Sequence, residues 1–127
     1  MPKIIWVLEE TGRAIHHRQI AEHGGSEGLR DEGLLSSALA RPQNLLAYGE
    51  APPDLASLAA AYAYGIARNH PFVDGNKRTA LVTARTFLLL NGVDLNATQD
   101  DKFLTFVSLA QGSISEEELA AWIRKRI

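Results

Sequence analysis

The sequence predicts an all-α fold of about six helices around a central buried helix at about residues 76–91. Three observations carry that prediction. Apolar residues recur at helical spacing, and no alternating strand pattern of any length appears. Residues suited to capping stand ahead of successive periodic runs, at Asp31, Asp54, Thr98 and Ser115. Thr79 to Leu90 is apolar almost all round, which marks a helix enclosed by others. With no internal repeat, linker or low-complexity segment, 127 residues read as one domain long enough to bury a core.

Taken in order, about Val7 to His23 reads as an amphipathic helix with Leu8, Ile15 and Ile20 apolar, ended by Gly24-Gly25. His16, His17 and His23 lack the spacing of a metal motif, and neighbouring helical residues face different ways, so they read as exposed or groove-lining. Asp31 caps a short helix to about Ala40, with Leu34, Leu35, Ala38 and Leu39 as its apolar stripe, and Pro42 closes it. Gln43 to Pro53 carries no periodicity and reads as a flap loop or small hairpin, with Tyr48 either packed or available to a target. Asp54 caps a helix from Leu55 to about Asn69 whose many small residues let neighbours come close. Arg85 is the one charge of the central helix beyond its first turn and needs a partner if buried. Asn91-Gly92 ends that helix. Thr98 with Asp101 opens the next, through about Ala110, which packs Phe103, Leu104, Phe106 and Leu109. Ser115 with Glu118 forms a capping box for the last, whose apolar face is Leu119, Trp122 and Ile123.

Composition narrows the function classes. Hydrophobic residues make up 46%, as in ordinary globular chains, and the net charge of −2 argues against a nucleic-acid coat. Zero cysteines removes disulfide frameworks, zinc ribbons and thiol catalysis, and fits a cytoplasmic setting. Ile4 to Leu8 is too short for a secretory core, and no apolar run reaches membrane-spanning length.

The chemistry concentrates in Asn69-His70-Pro71-Phe72-Val73-Asp74-Gly75-Asn76-Lys77-Arg78. Pro71 stops the preceding helix near His70, Asp74-Gly75 reads as a turn, and helix resumes at Asn76. A helix start offers free N–H groups and partial positive charge, hence attracts phosphates. Gly75 lets an anion approach the backbone, while Lys77 and Arg78 add charge where a helix alone disfavours it, so something anionic offsets that cost. Asp74 supplies a hard oxygen of the kind that holds magnesium together with substrate phosphates. His70 is a natural base near neutral pH. Taken singly, a histidine at a helix end is usually a cap, a Lys-Arg pair a solvated face and Asp-Gly a turn. Together they are the parts of a phosphoryl or nucleotidyl transfer site.

His70 to Arg78 closely resembles the signature of the Fic/Doc family, H-P-F-x-[D/E]-G-N-[G/K]-R, and Gly24-Gly25 with Gly28 to Leu35 is similar to the N-terminal region of its Doc-type (death-on-curing) toxins. The resemblance covers nearly the whole chain. It implies that His70 deprotonates a hydroxyl of a target protein, that Asp74 holds Mg2+ on the nucleotide, and that Gly75, Asn76 and Arg78 cradle phosphate oxygens, with Phe72 anchoring the loop in the core. Lys77 stands where AMP-transferring members have Gly. It implies the Doc-type reaction, in which ATP binds reversed and gives its γ-phosphate to elongation factor Tu, arresting translation. Arg68 matches a Doc arginine and is a second phosphate contact on that reading, or else a solvent-facing helix-end cation. The self-inhibitory pattern [S/T]-x-x-x-E-[G/N] is absent, since Glu27-Gly28 and Glu32-Gly33 are preceded at that offset by His23 and Gly28. That fits a toxin silenced by a separate, Phd-like antitoxin whose helix lies in a groove. The alternatives are an adenylylating enzyme and a catalytically silent module kept for antitoxin or operator interactions.

Overall fold

The computed structural model describes residues 3–127. Its helices are α1 (Glu9–His23), α2 (Glu32–Tyr48), α3 (Leu55–Asn69), α4 (Asn76–Leu90), α5 (Gln99–Gln111) and α6 (Glu116–Arg124). Among the described residues the only extended pairing is an isolated bridge between Leu29 and Phe72, and no helix is long and apolar enough to cross a membrane. The all-α expectation therefore holds.

The most enclosed helix is α3. Asp54 caps it by accepting the Ser57 N–H at 2.9 Å, and the run Leu58 to Ala63 is wholly shielded from solvent. Six alanines among its buried positions and the hydrogen side chain of Gly65 thin this helix, so α2, α4, α5 and α6 can all pack against it. The α2 contact is the tightest: a Cβ at Gly65 would lie 2.9 Å from the Ala38 Cα. By contrast α4 buries one face (Thr79, Ala80, Thr83, Ala84, Phe87 and Leu88) and leaves Leu89 and Leu90 exposed. Its near-continuous apolar composition thus overstates its enclosure. Arg85 is exposed and finds its partner in Asp94, 3.0 Å away.

Two boundaries differ from the sequence reading. No flap loop or hairpin occupies 43–53, because α2 runs through Pro42 to Tyr48. A proline inside a helix removes one backbone bond and disfavours the turn by about 3 kcal/mol. Burial of Pro42, and packing of Leu45 against the core, outweigh that penalty. Only residues 49–54 remain as the connection, with Tyr48 exposed at its start. The first helix begins at Glu9 rather than Val7, which is buried and donates its N–H to the Tyr62 hydroxyl at 2.9 Å.

The caps at Asp31, Thr98 and Ser115 form as expected, the last as a full box with Glu118. Arg124, at the end of α6, donates Nε–H to the Asp54 carboxylate at 2.6 Å. That bond holds the Asp54 carboxyl well below the usual carboxylate range, with the Ser57 hydrogen bonds adding to it.

Two outcomes follow for stability. Gly65→Ala should destabilise the fold by about 1–3 kcal/mol, the usual cost of overpacking, as read by chemical denaturation. Because the folded pKa of Asp54 is depressed, its ion pair stabilises fully above the unfolded carboxylate pKa of about 4 and is lost as pH falls below it. Asp54→Asn keeps a capping oxygen but loses the pair. Its stability deficit, about 1 kcal/mol or less at this half-exposed position, should be present at neutral pH and vanish in acid.

Candidate active site

The segment between α3 and α4 reverses the chain and leaves the start of α4 open. His70 caps the C-terminus of α3 in the left-handed region (φ 49°, ψ 56°), the only described residue other than glycine with positive φ. Pro71 and Phe72 turn into the core, and Phe72 is 3% exposed. The buried Asn76 side chain then closes the loop on itself. Its Oδ1 accepts the Phe72 N–H at 3.0 Å, and its Nδ2 donates to the Phe72 carbonyl at 2.9 Å. The Asn76 side chain is therefore committed to the loop, which leaves only its backbone N–H to a phosphate.

Gly75, at φ 76°, is the N-cap of α4 and supplies no side-chain bond. The N–H groups of Asn76, Lys77 and Arg78 accordingly keep the lack of intrahelical acceptors that every helix start has. Lys77 and Arg78 are exposed beside them. Asp74 accepts the Gly75 N–H at Oδ1 (2.8 Å) and the Ser26 N–H at Oδ2 (3.2 Å). The Ser26 N–H, then the Gly75 N–H, draw its pKa below the usual carboxylate range, so it is ionised at neutral pH. A carboxylate offers about four lone-pair sites, and two remain for a cation. Among the described residues no cluster of three His, Cys, Asp or Glu is placed to enclose a metal. A divalent ion here would need ligands brought by a phosphate, the coordination magnesium commonly adopts.

Beneath the loop lies a residue that the sequence reading placed as exposed or groove-lining, and it is neither. His16 on α1 is buried, stacked on Phe72 with ring centroids 3.8 Å apart and planes 3° apart, and its Nε2 lies 2.8 Å from the Asp74 carbonyl oxygen. Nε2 therefore carries the proton and donates it to that carbonyl. The signal was present in the sequence: His16 stands four residues before Ile20, hence on the same helical face. His17 and His23 are exposed, as expected. Gly25 also proves specific. A Cβ there would lie 2.7 Å from Asp74 Oδ2, in a backbone conformation (φ 118°) that L side chains seldom adopt.

These groups open onto one groove of about 950 Å³. His70, Asp74, Gly75, Asn76, Lys77 and Arg78 line its head, and Leu81, Val82, Thr86 and Leu89 of α4 form its floor. Its walls are the end of α1, with Glu22 and His23, and the Phe103, Phe106 and Val107 face of α5. Arg68 is not brought there. It lies near Tyr64, with its guanidinium carbon 5.9 Å from the ring centroid, and beside Gly112.

The sequence profile of the Fic/DOC family matches residues 6–88, taking in α1 to α3, the whole loop and all of α4 but its last two residues. The chain belongs to this family. Among its relatives is a protein named Toxin Doc from Mycolicibacterium smegmatis, 52% identical over 77 residues, which are 61% of this chain and 59% of that one. Another is Protein kinase doc of Escherichia phage P1, 38% identical over 112 residues, or 88% of this chain and 87% of the phage protein. The Fic/Doc segment thus coincides with the part of the chain that assembles the groove head.

Replacing His16 by Phe should preserve the stack on Phe72 but leave the Asp74 carbonyl without its donor. A loss of about 0.5–1.5 kcal/mol in denaturant stability is expected, the net worth of one hydrogen bond to an acceptor that water can reach, with the m-value unchanged.

Proposed function

We propose that the protein is a Doc-type toxin that moves the γ-phosphate of Mg-ATP to a Ser or Thr hydroxyl of a translation factor, elongation factor Tu in the first instance, and so arrests translation. One observation carries the reading: a base, an ionised carboxylate and the uncapped cationic start of a helix share the head of a single groove. The relatives' names, a toxin and a protein kinase, support it.

On this reading the γ-phosphate lies against the N–H groups of Asn76 to Arg78, with Gly75 allowing close approach. Lys77 and Arg78 balance its charge. Asp74 and phosphate oxygens would hold Mg2+, whose charge favours the crowding of anionic oxygens at the site. His70, exposed at the groove head, takes the proton of the target hydroxyl as its oxygen bonds to the γ-phosphorus. The bond from that phosphorus to the bridging oxygen breaks, and ADP leaves with the electron pair. Lys77 fills space and adds charge where an AMP-transferring site leaves room, which favours the kinase orientation. Arg68 could serve as a phosphate contact only after its side chain swings away from Tyr64.

The apolar floor and wall of the groove, with Phe103 60% exposed, suit the amphipathic helix of a separate, Phd-like antitoxin. A soluble cytoplasmic setting goes with this reading.

Incubation with γ-labelled or α-labelled ATP and elongation factor Tu tests the reaction. Label should move only from the γ position; transfer from the α position alone would replace the kinase by an adenylylating enzyme. His70→Ala should reduce transfer by about 100-fold or more, the contribution typical of a general base, and relieve growth arrest on expression. Arrest undiminished in that variant would point instead to a silent binding module.

A further inference from the structure

His70 is held in a conformation that its sequence neighbours oppose. A residue before proline is steered to extended backbone, and left-handed geometry is uncommon outside glycine. Such a residue persists where its surroundings over-determine it. The required constraint comes from a distant segment. Arg30 donates Nε–H to the His70 carbonyl at 2.7 Å and Nη2–H to the Asn69 carbonyl at 2.8 Å. Its backbone N–H and that of Asp31 both reach the Pro71 carbonyl, at 2.7 and 3.0 Å. Three successive carbonyls are thus fixed by one short stretch ahead of α2.

We propose that Arg30 is a positioning residue for His70: its guanidinium fork clamps the end of α3 so that the imidazole stands over the start of α4. The fork suits this task because two parallel donors at fixed separation match two adjacent carbonyls. The orphan acceptors at a helix C-terminus also favour a cation. With the clamp removed, His70 relaxes toward the extended backbone that Pro71 prefers. Its Cα–Cβ direction then turns away from the groove, while the phosphate-facing N–H groups of α4 stay in place. The inference rests on the phosphotransfer reading for its kinetic consequence only; the conformation of His70 can be read without any reaction.

The test compares Arg30→Ala and Arg30→Lys with the parent chain. In Arg30→Ala, kcat should fall about 100-fold, as for a reacting group misplaced by about an ångström. ATP affinity by calorimetry should be unchanged, and so should the pH at which the rate begins to rise. The His70 backbone resonances in NMR should move from left-handed toward extended values. Arg30→Lys keeps the charge without the fork and should be impaired as well. Should Arg30→Ala not fold, the lysine variant carries the test by the same measurements. The proposal is overturned by unshifted His70 resonances, by kcat retained in either variant, or by ATP affinity falling in step with kcat. An inactive parent chain would reject phosphotransfer while leaving the resonance measurement to decide the clamp.

Discussion

The arrangement depends on how one ring is seated. Phe72 is the point at which a loop of polar and cationic residues is tied to the core. Its ring stacks on His16, and both of its backbone polar groups are satisfied by the Asn76 side chain. An aromatic side chain supplies the buried area that a short loop otherwise lacks. The reciprocal amide bonds prevent that burial from stranding backbone groups without partners. Fixed at this point, the residues on either side have little freedom. His70 and Pro71 must close the end of α3, and Asp74 and Gly75 must open α4. The exposed chemistry is ordered because the residue in its midst is hidden.

The scaffold around this anchor follows from side-chain size. An alanine-paved helix with a glycine at its narrowest contact lets the surrounding helices approach closely, which keeps the ends of α3 and α4 in fixed relation. A site built on the ends of packed helices is held more accurately than one carried by a free loop. The groove is open along the outer face of α4 because that face is only partly covered, and Leu89 and Phe103 remain accessible beside it.

Much of this was legible in the chain. The caps at Asp31, Asp54, Thr98 and Ser115 are local chemistry, settled within three residues of each position, and their helices begin where those residues stand. The turn at Pro71 and the restart at Asn76 are equally local. The passage of α2 through Pro42 was not legible, because a tertiary contact with α3 decides it against the local preference. The same division runs through the site. The motif residues announce themselves by spacing, and six of them meet in one groove. The groups that hold them, His16, Ser26 and Arg30, act across 40 or more positions of sequence. No pattern in a single sequence states such pairings. Arg68 illustrates the converse: two positions from His70 along the chain, its helical position turns it toward Tyr64 instead.

The bond from the Ser26 N–H to Asp74 has a bearing on how the molecule comes into being. The carboxylate belongs to the middle of the chain and this donor to the first quarter, so Oδ2 is held only once the two segments have folded together, while the Gly75 N–H holds Oδ1 locally. A polypeptide lacking residues 1–26 would still carry every letter of the signature and yet hold its acid by the Gly75 N–H alone. Full ordering of the acid is thus a property of the tertiary structure and not of the motif alone.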